Sequence, residues 1–250
     1  MKKINIIAMA GTGKRFLKQN YNIPKPLISI NGKPMFFYAA KSLPQSKKTF
    51  FICNKKLIKD SKFNFYIKNY FKNNKIISLN KKTSGQATTC NMATKFLKKE
   101  DIVTYGSCDY FYKYNKYKYK KLINQSDLVV FVHKPNKNNI LNFKEYGWVQ
   151  KDKKNLIKKI RCKNKISNNP KKDLVIVGTF TFKNKKIFTR SFKEMVKKRD
   201  KINNEYYVGN SINELIKQNY TVLPFEIEQY ICLGTPRDLN VYKFWYSVFK

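Results

Sequence analysis

Apolar runs of strand length recur along this chain, and amphipathic stretches long enough for helices separate them. The runs are Ile4–Met9, Thr49–Cys53, Ile76–Leu79, Asp101–Tyr105, Leu128–His133 and Leu174–Phe182. Between them, Met35–Ser42 and Gln86–Leu97 read as helices, the second starting just after a Ser-Gly turn. This alternation predicts an α/β fold whose mixed, mostly parallel central sheet is covered by helices on both faces. After Tyr146 the pattern changes to shorter strands and a lysine-rich connection, Lys151–Lys172, read as including loops. Arg190–Arg199 and Asn210–Gln218 have helical spacing, and the aromatic segment Phe244–Phe249 would either cap the core or support an oligomer contact. No internal repeat or interdomain linker is visible, so all 250 residues read as a single domain.

Composition narrows the class. A 42% hydrophobic share with 15% aromatics supplies a substantial core and excludes wholesale disorder. The five cysteines (Cys53, Cys90, Cys108, Cys162, Cys232) are scattered, with no Cys-x-x-Cys pair. That argues for reduced cytoplasmic thiols and against a disulfide framework or zinc site. His133, the sole histidine, has no metal or triad partner in view and reads as a packed or surface residue. No apolar run approaches the roughly 18 residues needed to span a bilayer. The Lys2-Lys3 start and Ala8-Met9-Ala10 mimic a signal peptide, but the apolar stretch is short and Asn5 interrupts it; a buried first strand accounts for it better. A net charge of +38 attracts anions. Abundant Lys, Asn, Ile, Tyr and Phe attribute most of that excess to AT-rich coding bias.

Directly after the first apolar run comes Ala10-Gly11-Thr12-Gly13-Lys14-Arg15-Phe16, then Pro24-Lys25-Pro26-Leu27. Glycines let the backbone approach phosphate oxygens and turn N–H groups toward them. Arg15 can fork onto two oxygens, and Lys25 supplies a compact point charge. A P-loop is excluded because only Thr12 separates Gly11 from Gly13-Lys14. The dinucleotide fingerprint is excluded because Phe16 stands where a third glycine is needed.

These segments, with Gly32-Lys33-Pro34-Met35, resemble the sugar-phosphate nucleotidylyltransferases of the nucleoside-diphosphate-sugar pyrophosphorylase type. Further motifs similar to that family follow in its order: Thr83-Ser84-Gly85-Gln86-Ala87-Thr88, Gly106-Ser107-Cys108-Asp109, Tyr146-Gly147-Trp148-Val149 and Val177-Gly178-Thr179-Phe180-Thr181-Phe182. Asn203-Asn204-Glu205-Tyr206-Tyr207 and Leu233-Gly234-Thr235-Pro236-Arg237-Asp238-Leu239 complete the set. The resemblance implies a Rossmann-like, glycosyltransferase-A-like domain with a nucleotide-binding half over about residues 1–135 and an acceptor-binding half over about 136–250. It implies transfer of a nucleoside monophosphate from a triphosphate to a sugar phosphate with release of pyrophosphate, for surface polysaccharide precursors in the cytoplasm.

On this resemblance Arg15 and Lys25 are the catalytic cations. Ala10, Gly11, Gly13, Lys14, Gly85 and Gln86 line the nucleotide site, with Lys14 at a variable position. Gly147, Lys163, Asn204 and Glu205 face the acceptor, and Asp109 holds a magnesium ion. The bland readings are a helix start at Gly85-Gln86, a turn or cap aspartate at Asp109 and a surface turn at Asn203-Asn204. Two family carboxylates are missing: Cys162 precedes Lys163, and Cys232-Leu233 precedes Gly234. Glu226 and Glu228 lie close by; two apart on a strand-like segment, both would face the site or neither would.

Two other functions stay open. One is a cytidylyltransferase acting on a non-sugar phosphorylated alcohol of the phosphocholine kind. The other is a basic nucleic-acid-binding protein, supported by the interleaved tyrosines and lysines of Tyr112–Lys121, although no specific nucleic acid is expected as a partner.

Overall fold

Strands buried on both faces dominate the first half, because their side chains alternate between two apolar layers. The computed structural model describes residues 1–249. The chain begins β1 (Lys3–Ala8), α1 (Lys14–Leu17), β2 (Ser29–Ile30), β3 (Lys33–Pro34), α2 (Met35–Ser42), β4 (Lys48–Asn54), α3 (Lys55–Ile58) and α4 (Ser61–Tyr70). It continues through β5 (Asn74–Leu79), α5 (Gln86–Asn91), β6 (Ile102–Ser107), β7 (Tyr110–Lys113), α6 (Lys116–Gln125), β8 (Leu128–His133) and α7 (Lys137–Leu141). The remainder is β9 (Gly147–Lys151), β10 (Ile157–Cys162), β11 (Leu174–Phe182), α8 (Lys185–Lys197), α9 (Val208–Lys217), β12 (Val222–Glu226), β13 (Gln229–Cys232) and α10 (Pro236–Val248).

One nine-stranded sheet runs through both halves in the order β10-β9-β11-β6-β1-β4-β5, with β8 pairing β11 and β12. Strands β6, β1, β4 and β5 are parallel, and β11 runs antiparallel to β6, β8 and β9. The sheet is therefore mixed, as expected. In β1, Ile4 and Ile6 face one apolar cluster while Ile7 faces the other, which is why β1 tolerates water on neither side. Asn5 is buried within this strand and donates from Nδ2 to the Pro44 carbonyl at 2.8 Å. That bond satisfies the polar group that interrupts the run.

Four expectations change. Lys151–Lys172 contains a regular strand, β10, on which Ile157, Ile160 and Cys162 are buried while Lys158, Lys159 and Arg161 face water. Gln86–Leu97 is the short helix α5 followed by a 3-10 turn at Thr94–Phe96. Phe244–Phe249 does not cap the core; Phe244, Trp245, Tyr246, Val248 and Phe249 are all exposed on or beyond the end of α10. The tyrosines of 112–121 are no stacking platform either. Tyr112 and Tyr119 pack with Phe131 beneath the sheet, and Tyr117 alone among the four tyrosines of that segment is exposed.

His133 is packed, its ring stacked on Tyr230 at 4.5 Å between centroids. Its Nδ1 donates to the Lys134 carbonyl at 2.8 Å, and Nε2 has no partner. Burial favours the neutral ring and lowers its pKa below the ordinary 6.5, against weaker opposing pulls from the Lys134 carbonyl and Glu226. A depressed folded-state value means that the unfolded chain takes up the proton first, so stability falls as pH drops below about 6.5 and levels off below the folded value. Thermal melts should show His133→Phe losing less stability than the native chain between neutral and mildly acidic pH; parallel losses would contradict this.

Candidate active site

A cavity of about 640 Å³ opens over the carboxyl ends of β1 and β6, where parallel sheets place their ligands. The chain leaves β1 into the loop Ala10–Gly13, which enters α1. Gly13 has φ 67°, and a Cβ there would lie 3.2 Å from Cβ of Lys25. Glycine thus permits both the left-handed turn and the close approach of the Lys25 segment. Among the described residues, no backbone N–H from Gly11 to Arg15 donates to another protein atom. Phe16, buried beneath this turn, anchors it on Ile28, Ile30, Met35, Leu233 and Leu239.

Lys25 and Asp109 form the charged floor. Lys25 Nζ donates to Asp109 Oδ2 at 2.6 Å and to the Gly234 carbonyl at 3.0 Å. Asp109 follows β6, and its Oδ1 accepts from Ser107 Oγ at 2.6 Å. Burial alone would raise the Asp109 pKa, but the Lys25 ammonium and the Ser107 hydroxyl hold it below the usual value. Burial likewise works against the charge on Lys25, and Asp109 overrides it. Both groups are therefore charged at neutral pH.

Arg15 lines the cavity and, among the described residues, forms no ion pair. Lys163 lines the same cavity with φ 61°; its Nζ donates to the Glu145 carbonyl at 2.6 Å. Burial first, then the Arg15 charge, push its pKa below the ordinary lysine value. The two cations thus repel across a cavity where an anion would offset that repulsion.

Gly85 has φ 111°, and a Cβ there would stand 2.6 Å from both N and O of Tyr206. Tyr206 N–H donates to the Ser84 carbonyl at 2.7 Å, and Ala87 N–H donates to the Tyr206 carbonyl at 3.0 Å. These bonds join the 83–87 loop to the 205–207 segment. Glu205 lines the cavity and accepts from the Tyr207 hydroxyl at 3.0 Å. Gly147 is tight as well, a Cβ there lying 3.0 Å from Ile176 Cδ1 and 3.5 Å from Cys162 Sγ.

Ala10, Gly11, Gly13, Lys14, Arg15, Lys25, Gly85, Gln86, Asp109, Gly147, Lys163 and Glu205 thus share one cavity. Asn204 does not line it. It sits with Asn203 at the tip of a two-residue turn closed by Ile202 and Glu205, with φ 51° and 62°, and is exposed. The turn reading is the one the backbone supports, because asparagine tolerates φ above zero. Glu226 and Glu228 also lie outside the lining; Glu226 is 3.8 Å from Lys134 on the surface.

Three charged lining residues were given no role from the sequence. Lys82 is one, a further exposed cation at the rim. Glu145 is another, pairing with Arg237 at 3.0 Å. Asp238 is the third. It closes a capping box with Thr235 at the start of α10, and Thr235-Pro236-x-Asp238 was a legible signal for it. Cys232 Sγ lies 3.5 Å from Asp238 Oδ2 and accepts the Gly234 N–H at 3.4 Å. Burial, then Asp238 and Asp109, push its thiol up to about 12, so it is neutral at pH 7. A neutral thiol beside the Asp238 carboxylate therefore stands where the resemblance leads one to expect an acid. Cys162 Sγ is packed among Gly147, Gly209 and Ile176 and is likewise held protonated, at about 12.

Residues 4–239 match the family model described as nucleotidyl transferase. The chain belongs to the nucleotidyl transferase family. Among curated proteins, the bifunctional protein GlmU of Methanococcus aeolicus is 26% identical over 221 residues, 86% of this chain. The chain spans only 47% of that relative's length. Among solved structures, a nucleoside-diphosphate-sugar pyrophosphorylase from Vibrio cholerae superposes with a TM-score of 0.76 at 20% identity, covering 95% of this chain and 98% of that one. An inositol-1-phosphate CTP transferase from T. maritima reaches 0.73 at 15% identity, over 96% and 93% of the two chains. A UDP-glucose pyrophosphorylase from Acinetobacter baumannii reaches 0.73 at 16%, over 98% and 93%. These likenesses establish the fold of this nucleotidyl transferase as Rossmann-like and glycosyltransferase-A-like. No helix among the described residues is long and apolar enough to cross a membrane.

Proposed function

We propose that this nucleotidyl transferase moves a nucleoside monophosphate from a nucleoside triphosphate to a sugar phosphate and releases pyrophosphate, in the cytoplasm, to supply an activated sugar for surface polysaccharide. The observation that carries the reading is the meeting of Arg15, the unclaimed N–H groups of Gly11–Arg15 and the Lys25–Asp109 pair in one cavity. The Gly11–Arg15 turn cradles the triphosphate, and Gly85 and Gln86 approach the base. Lys163, Gly147 and Glu205 take the acceptor. An oxygen of the acceptor phosphate attacks the α-phosphorus, a new P–O bond forms, and the bond to the β-phosphate oxygen breaks. Pyrophosphate leaves with the bonding pair. No covalent protein intermediate is required, so positioning and charge neutralisation supply the rate.

A divalent cation is general in this family. The residues fit magnesium, which takes one or two carboxylates and draws its other ligands from phosphates and water. Asp109 would hold it, and Asp238 is a further carboxylate lining the same cavity. Among the described residues no cluster of three or more His, Cys, Asp or Glu is placed to enclose a metal by itself, which suits an ion shared with substrate. When bound, magnesium would neutralise charge on the triphosphate oxygens. Lys25 holds the Asp109 carboxylate ionised and oriented for it.

The test is a pyrophosphate-release screen of the four common triphosphates against sugar 1-phosphates and phosphorylated alcohols. Release that requires one triphosphate, one sugar phosphate and magnesium supports the reading. Release only with cytidine triphosphate and a phosphorylated alcohol would instead favour the second reading, the chemistry in the name of the T. maritima neighbour. Asp109→Asn should abolish magnesium-dependent release; its one amide oxygen can still accept from Lys25 while Nδ2 donates to Ser107 Oγ, and loss of the ion pair should lower the melting temperature without unfolding the chain.

A further inference from the structure

Exposed large apolar side chains are scattered singly over most of this protein, but six of them (Val241, Phe244, Trp245, Tyr246, Val248 and Phe249) fall within nine residues at the end of α10. Val241, Phe244, Trp245 and Val248 recur at helical spacing and so share one face. The same helix turns Leu239 and Tyr242 inward onto the cluster of Phe16, Ile28 and Met35, and the Tyr242 hydroxyl accepts from Asn31 Nδ2 at 2.6 Å. α10 is thus seated by one side and bare on the other. On the bare side Trp245 stacks on Phe249 at 5.7 Å between centroids and meets Phe244 edge-on at 5.4 Å, which makes a continuous aromatic surface.

The charge around this face limits what can cover it. From Leu239 to Phe249 there is no carboxylate, and Lys243 is exposed among the aromatics. Lys14 and Lys18 are exposed on and next to α1, whose Phe16 lies directly under α10. The whole chain carries +38. A second copy would bring two strongly cationic bodies together, whereas an anionic surface gains from every lysine nearby. A nucleic acid would stack on the rings but would not cover Val241 and Val248. Tryptophan and tyrosine beside aliphatic groups and cations suit the boundary between lipid headgroups and acyl chains.

We infer that the outward face of α10 docks on an anionic lipid surface, with Phe244, Trp245 and Val248 entering the headgroup boundary and the basic protein surface held by the lipid charge. Thr235 and Asp238 at the other end of this helix line the cavity. Thirteen residues of helix span only about 20 Å, so docking holds the cavity close to the bilayer.

The chain has two tryptophans, and Trp148 is fully buried, so a change in tryptophan emission on ligand addition reports Trp245. The full chain is mixed with phosphatidylcholine vesicles with and without phosphatidylglycerol. Cosedimentation and a blue-shifted, quencher-protected Trp245 are expected with the anionic vesicles only, weakening as salt screens the charges. Phe244→Ser with Val248→Ser should lower vesicle partitioning by about tenfold or more, the scale set by removing two buried apolar groups. Turnover of dissolved substrates should stay unchanged. Absence of anionic-vesicle binding by the native chain, or equal binding by the double variant, would overturn the inference. So would protection of Trp245 by self-association in sedimentation velocity without lipid, or protection by an oligonucleotide but not by vesicles.

Discussion

Arg15→Ala should lower turnover by roughly 10²–10³, the scale of one lost donor aimed at transition-state charge. Arg15 is exposed, lines the cavity and has no ion-pair partner among the described residues, so its removal leaves the fold without an orphaned charge. The melting temperature should therefore hold while activity falls. Its position explains the size of the effect. Its charge reaches Lys163 in the same cavity, and its own backbone N–H belongs to the turn that would cradle the triphosphate. On the proposed function, Arg15 would stand where two anions must be brought together. Arg15→Lys keeps the charge but not the planar fork and should recover only part of the loss. Steady-state pyrophosphate release over the three proteins, with melts in parallel, checks both halves of this expectation. Near-native turnover in Arg15→Ala would remove the arginine from the chemistry.

Gly85→Ala should act through the backbone. At φ 111° an alanine is strained wherever it stands, and its Cβ would sit 2.6 Å from N and O of Tyr206, neither of which can rotate away. Strain and overpacking together cost about 2–5 kcal/mol, or a melting temperature lower by roughly 5–15 °C for a chain of this size. Forcing Ser84 and Tyr206 apart also breaks the bonds that tie the 83–87 loop to Glu205 and Tyr207. Triphosphate affinity and acceptor affinity should therefore both weaken in the folded variant. A melt within one or two degrees of the native chain would show that the loop relaxes freely and that the contact is not restrictive.

The sheet was legible where apolar residues are continuous. Leu128–His133, Leu174–Phe182 and the helix Met35–Ser42 have the bounds read from the sequence, because burial on most sides leaves little room for polar residues to blur the ends. β10 was hidden for the opposite reason. As an edge strand it exposes one face, lysines and an arginine fill that face, and an irregularity between Ile157 and Lys159 breaks the alternation. Tyr112–Lys121 misled in the same way, since tyrosine serves core and surface alike and only the packing around Phe131 tells which. At the site, the glycines and Arg15 were readable because a phosphate cradle needs them close together in sequence. Lys82 was one cation among 53, and Asp238 carried a helix-cap signal rather than a site signal. Asn204 matched a motif by type, but its turn conformation carries it outside the cavity lining.

The central claim is that the cavity transfers a nucleotidyl group between two phosphate-bearing substrates. It is tested most directly by following a radiolabel at the α-phosphate of the preferred triphosphate, with magnesium and the acceptor identified in the screen. The account predicts that the label moves into a nucleotide-linked acceptor, that the released pyrophosphate is unlabelled and equal in amount to that product, and that Arg15→Ala and Asp109→Asn suppress both together. Label left in the triphosphate, or appearing only as free nucleoside monophosphate whether or not the acceptor is present, would contradict it.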